Sequence, residues 1–214
     1  MRALPKIGGN VGGFSASAYG LGHILIELNL EKRHPMERIL GIDPGSRVCG
    51  FALIESVKSF PIHVGDFKLL DLGVLKARVE LSFPDRIGLL HERLFELIHE
   101  LKPTRVAIED SFCGVNPRSA LKLGQARGAL ISAIHRHRLP LSELSPTHVK
   151  SMVAGRGGAA KLDLAKYLSF QFSRDFSKVP LDATDAFAIA LAAGISRTEV
   201  PPSPRKVKGF ESNI

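Results

Sequence analysis

The sequence predicts an α/β fold: a mixed five-stranded sheet flanked by helices on both faces. Three observations lead to it. Two apolar runs, "RILGID" and "VCGFALIE", are separated by the turn "PGSR" and read as successive strands. Two later strand patterns, "RVAIED" and "LPLSEL", alternate with helical ones, so the chain runs as three strands, then αβ, αβ and terminal helices. Finally "LDATDAFAIALAAGIS" is apolar almost throughout and closes the domain as a helix made for burial.

Taken in order, residues 1–36 are rich in Gly and Ser, with the stretch "GGNVGGFSAS". This composition predicts a flexible N-terminal extension, and a true start at Met36 would account for it. The patterned domain spans residues 37–197. Its first strand ends at Asp43, directly before Pro44 and Gly45. A third strand lies within "IHVGDFKLLDLGVLK". Ile87, Leu90, Leu94, Leu97 and Leu101 then recur at helical steps, with Ser82 and Asp85 resembling a capping box at the start. "RVAIED" is the fourth strand, "RSALKLGQARGALISAIHRHR" a long helix and "LPLSEL" the fifth strand. "PTHVKSMVAG" and "AAKLDLAKYLSFQF" are two further helices before the apolar closing one. Residues 198–214, Pro-rich and basic, read as a disordered, solvated tail.

A net charge of +8 favours polyanionic partners, nucleic acid before anionic membrane, without identifying one. Cys49 and Cys113 lack metal-ligand spacing and read as thiols in a reducing compartment. No apolar run reaches membrane-spanning length, and His23 and Glu27 interrupt the run "GHILIELNL" that a signal peptide would need. The expected location is the cytoplasm, with no membrane partner.

The acids stand out by position. Asp43 ends strand one, Glu109 ends strand four, and Asp182 and Asp185 open the last helix three residues apart, on one face. If strands one and four are neighbours and the helix packs against their ends, the four carboxylates converge. Such a cluster repels itself in a partly dry site. Mg²⁺ or Mn²⁺, hard cations that prefer oxygen ligands, relieve that repulsion. Two such ions about 3.5–4 Å apart can activate a water and stabilise the leaving oxygen of a phosphodiester. Each acid also has a plain structural reading: Asp43 as a turn residue, Asp182 and Asp185 as helix-start acids, Glu109 as a solvated strand end. Those readings leave unexplained why three apolar elements each present acid at one end.

"ILGIDPGSRVCGFALIE", "VAIEDSF", "ALKLGQARGAL" and "DATDAFAIALA" together resemble the RuvC-type Holliday junction resolvases, of RNase H-like fold, over roughly Glu37 to Ser196. The resemblance implies that Asp43, Glu109, Asp182 and Asp185 are a catalytic, metal-binding tetrad served by Mg²⁺, with Mn²⁺ as a substitute and two ions per site. It implies structure-selective cleavage of four-way DNA junctions by paired symmetric nicks, in recombination and repair. It assigns Phe112 to a wedge against an opened base, and Lys150 and Lys161 to DNA-backbone contact near the cut; Arg156 and Lys166 are further candidates for the same strip. It implies a homodimer, whose two-fold symmetry suits two cuts, and RuvA and RuvB as branch-migration partners. On the long helix, Leu121, Leu130 and Ile134 with Gly124 and Gly128 are candidates for the dimer contact, core packing being the competing reading.

Three alternatives stay in view. A related RNase H-like nuclease acting on ribosomal RNA precursors shares the opening strand but is not expected to carry "KLGQARG". An actin-like ATPase or sugar kinase needs a duplicated domain and a second phosphate loop, for which this chain is short. A non-enzymatic junction-binding protein has no need of all four acids.

Overall fold

Arg38–Asp43 (β1) and Val48–Ser56 (β2) pair antiparallel across the Pro44–Arg47 turn, with Asp43 opposite Gly50. The computed structural model describes residues 36–58, 63–110, 116–154 and 161–196, all within the unit Pro35–Ile214. After a short 3-10 turn at Val64–Asp66, Phe67–Lys76 (β3) pairs antiparallel with β2. Arg105–Glu109 (β4) lies parallel to β1 on its other side, and Leu141–Leu144 (β5) parallel to β4. The sheet order is therefore β3-β2-β1-β4-β5, a mixed sheet with β1 at its centre.

The helices are Phe83–Leu101 (α1), Pro117–Arg136 (α2), Pro146–Ala154 (α3), Lys161–Phe172 (α4) and Leu181–Ile195 (α5). Ser82 caps α1 as its sequence suggests: its hydroxyl accepts from the Asp85 N–H and donates to the Asp85 carboxylate at 2.5 Å. At the other end Lys102 takes the left-handed conformation that commonly stops a helix.

Strand alternation divides the core into two layers. Leu40, Ile42, Leu53, Val106 and Ile108 pack with Leu90, Leu94, Leu130 and Ile134 of α1 and α2. Ile39, Ala52, Ile54 and Ala107 face the other way, against α3, α4 and the buried length of α5. Helices thus cover both faces. Leu130 and Ile134 are fully buried in this chain's own core, so neither is available to a dimer contact; Leu121, Gly124 and Gly128 on the same helix are exposed. Core packing won at those two positions because they sit on the sheet-facing stripe of α2.

Two glycines let α5 lie close on the sheet. A Cβ on Gly41 would fall 2.1 Å from the Ala186 carbonyl oxygen, and one on Gly50 would fall 1.9 Å from that of Asp182. Near its end, Gly194 lies against the Phe67 ring and Ile39. The helix therefore runs opposite to β1 and starts over the strand end that carries Asp43. Arg105, buried at the foot of β4, fixes the far end: its guanidinium donates to both Glu37 carboxylate oxygens, at 2.5 and 3.2 Å, and to the Ala193 carbonyl at 3.0 Å. His148 Nε2 and Ser196 Oγ, 2.7 Å apart, tie α3 to the same end.

Candidate active site

The register of β1 against β4 ends with Ile42 beside Ile108. One residue further, Asp43 and Glu109 are neighbours on adjacent strands, which lie about 4.8 Å apart in a sheet. Both follow by two an inward residue of the α5 layer, Gly41 and Ala107, so alternation sends both side chains toward α5. The first turns of α5 arrive at this edge because Gly50, opposite Asp43, accepts the helix backbone at Asp182. Three elements distant in sequence thus deliver acid to one place for reasons of packing alone.

The product is a cavity of about 100 Å³ lined by Asp43, Glu109 and Asp185, with Lys150, Pro146 and Val149 of α3, Leu164 of α4 and Ala188 of α5. Three acids and one lysine thus share its lining with apolar side chains. Asp43, Glu109 and Asp185 are each partly exposed and Lys150 is half-buried. Asp182 is not among the lining residues. It sits in the first turn of α5, three residues before Asp185, and its charge reaches the far side of β2: burial pushes the Cys49 thiol well above its ordinary range, and the charges of Asp43 and then Asp182 push it further. Among the described residues no three His, Cys, Asp or Glu side chains already form a metal-ligand cluster. Asp43, Glu109 and Asp185 nonetheless line one cavity.

Behind Glu109 lies a second set of charges that the sequence reading passed over. Arg127 Nε on α2 donates to the Glu109 carbonyl oxygen at 3.1 Å, and its Nη2 meets the Glu143 carboxylate and stands 3.7 Å from Asp110 Oδ1. Its position within "KLGQARG" was the available signal. The apolar lining residues Val149, Leu164 and Ala188 were likewise passed over, because an apolar position next to a cavity reads as ordinary core.

Of the remaining expected residues, Lys166 is exposed on α4 and Lys161 begins that helix. Phe112, Cys113 and Arg156 lie outside the described residues, as do residue 197 and the two terminal segments, 1–36 and 198–214, apart from Met36.

A sequence profile of the family described as crossover junction endodeoxyribonuclease RuvC matches residues 39–193. The relative of that name in Chlorobium chlorochromatii is 40% identical over 168 residues, covering 77% of this chain and 84% of the relative. The one in Pelobacter propionicus is 42% identical over 154 residues, covering 72% of this chain and 84% of its own. Among solved structures, Thermus thermophilus RuvC in complex with a Holliday junction substrate superposes with a TM-score of 0.67 at 28% identity, covering 75% of this chain and 94% of that one. The yeast mitochondrial Holliday junction resolvase, at 19% identity and a TM-score of 0.54, shares the fold.

Proposed function

The chain belongs to the RuvC family of crossover junction endodeoxyribonucleases, and from that membership we propose that it cuts four-way DNA junctions at the cavity between β1, β4 and α5. The observation that carries the reading is the meeting of Asp43, Glu109, Asp185 and Lys150 in one cavity from four separate elements. The actin-like alternative finds no support in a family match that runs the length of the described domain.

The donor set fits a hard divalent cation. Carboxylate oxygens are what Mg²⁺ and Mn²⁺ prefer, and a cavity with three acids against one ammonium favours a cation. Asp43, Glu109 and Asp185 would hold it, with Asp182 completing the set from the first turn of α5. When bound, such an ion, or a pair of them, activates a water and stabilises the leaving oxygen of a phosphodiester. The protein's own groups then have distinct tasks. Lys150 meets a phosphate oxygen at the cavity mouth and offsets charge that the acids would otherwise repel. Val149, Leu164 and Ala188 keep the cavity walls dry. The strand ends hold Asp43 and Glu109 on rigid backbone, so little reorganisation accompanies reaction.

Lys161, Lys166 and Arg156 extend Lys150 into a phosphate-contacting strip, and Phe112 acts as the wedge at the branch point. Two copies of the chain, related by a two-fold axis, cut the two opposed strands; the exposed Leu121, Gly124 and Gly128 of α2 belong to that contact. RuvA and RuvB act before it, by branch migration.

The test is cleavage of an immobile four-way junction, labelled on each strand in turn, with Mg²⁺ present. Paired symmetric nicks with religatable ends are expected, absent after chelation and absent on linear duplex. Preferential cutting of a linear RNA duplex would favour the ribosomal RNA alternative, and tight junction binding without nicks at any divalent ion would favour a binding protein.

A further inference from the structure

We propose that Arg127 is a positioning residue for cleavage: it fixes the end of β4 so that Glu109 presents its carboxylate to the cavity, an assignment that rests on reading that cavity as the cleavage site. Arg127 does not line the cavity. It stands on α2, on the opposite face of the sheet from α5, and reaches Glu109 through the peptide group.

The strand needs a tie at this point. The Asp110 N–H donates to the Leu144 carbonyl at 2.8 Å, continuing the pairing of Glu109 with Leu144 at the end of the β4–β5 ladder. The Glu109 carbonyl is held from the α2 side, by Arg127 Nε at 3.1 Å. The same guanidinium joins Glu143 on β5 through Nη2 and stands 3.7 Å from Asp110 Oδ1, a buried oxygen with no hydrogen-bond partner among the described residues. One planar fork thus spans two strands and the residue after Glu109, with its side chain 15% exposed. Only arginine offers several donors in fixed relative directions; a lysine ammonium is a single point. The arrangement also places a positive charge between two acids that flank Glu109, which lowers the negative field on the carboxylate side of the sheet.

Glu109 thereby keeps its position when the acids are drawn together, and displacement of a reacting or ligating group by about 1 Å can cost around a hundredfold in rate. The experiment compares Arg127→Lys, Arg127→Ala and Glu109→Gln with the unaltered protein. Four quantities are read: single-turnover cleavage at saturating Mg²⁺, junction affinity in chelator, Mn²⁺ binding to the free protein by electron paramagnetic resonance, and the thermal midpoint. Arg127→Lys is expected to fold and bind junction within about twofold of the unaltered protein, yet cut at least about tenfold slower and hold Mn²⁺ more weakly. Arg127→Ala should show the same split with a larger loss.

Unaltered rate and Mn²⁺ affinity in Arg127→Lys overturn the proposal. So does an Arg127→Ala protein whose rate and junction affinity fall together with its thermal midpoint, all three restored by lysine. Should Arg127→Ala fail to fold, Arg127→Lys alone decides by the same criteria. Normal cleavage by Glu109→Gln would instead remove the cavity reading, whereas an inactive Glu109→Gln beside a fully active Arg127→Lys removes the Arg127 assignment alone.

Discussion

Asp43 ends a strand whose preceding four residues are buried, beside a turn, with Glu109 as its neighbour on β4 and Asp185 across the cavity. A turn aspartate has no need of such company. Asp43→Asn keeps the size and the hydrogen-bonding reach of the side chain while removing its charge, so the fold and the phosphate contacts should survive. Cleavage should fall by at least about a hundredfold, while junction affinity changes by less than about threefold. Rate and affinity measured on the same junction separate the two, and undiminished nicking would return Asp43 to the role of a turn residue. Cys49 reports the same field from behind the sheet. Its thiol is raised by burial and by Asp43 and Asp182, so in the folded protein it stays protonated where an unfolded thiol ionises. The sign follows: above about pH 8.5 the unfolded state binds fewer protons, and this contribution to stability is lost as pH rises toward the folded value. Denaturant unfolding of the unaltered protein between pH 8 and 10 should therefore lose more stability than Cys49→Ala does over the same range. Parallel losses would mean that the thiol ionises alike in both states.

At the scale of an element, α5 decides the geometry. It is nearly all small or apolar, and its buried run from Ala186 to Ala193 needs a sheet face without protrusions. Gly41 and Gly50 supply that face. Gly41→Ala would put a methyl 2.1 Å from the Ala186 oxygen and 2.6 Å from the Ala190 nitrogen, both backbone atoms that cannot turn aside. The expected cost is about 3 kcal/mol, with α5 lifted from Asp43 and activity lost in step. Gly88, exposed in the second turn of α1, has nothing within 4 Å of such a methyl, and Gly88→Ala should stabilise by about 0.5–1 kcal/mol. Urea midpoints of the two variants should move in opposite directions. Much of this was legible in the sequence. Among the described residues, the five strands and five helices fall where period and turn residues put them, and Asp182 and Asp185 share a helix start as their spacing requires. β3 could be placed only within a longer stretch, because an edge strand half-exposed along most of its length shows weak alternation. What stayed hidden was tertiary: which side of α2 the leucines face, that Asp182 sits outside the cavity lining while Asp185 is part of it, and the reach of Arg127 across the sheet. Each depends on how elements lie against one another, which no local period records.

For the molecule as a whole, the charge is divided. The chain carries +8 while the cavity is lined by three acids and one lysine. On the proposed reading, a phosphodiester brought to that cavity meets repulsion from the acids and attraction around them, so binding draws mainly on residues outside the acid set. Binding should come from lysines and arginines spread along the flanks, each releasing counterions from the DNA as it meets a phosphate. Junction affinity, measured in chelator to keep the divalent ion out, should then fall linearly on a log–log plot against salt. Each phosphate contact contributes about 0.9 to the slope. Lys150→Ala and Lys161→Ala should each lower that slope by close to one contact, with about the same loss of affinity on junctions of different base sequence, because phosphate contacts position without reading sequence. Lys150→Ala should also slow cleavage at saturating junction, since Lys150 lines the acid cavity itself, whereas a flank lysine should not. A slope unmoved by Lys150→Ala would mean that its ammonium serves the carboxylates rather than the DNA, and the flanks alone would then hold the substrate.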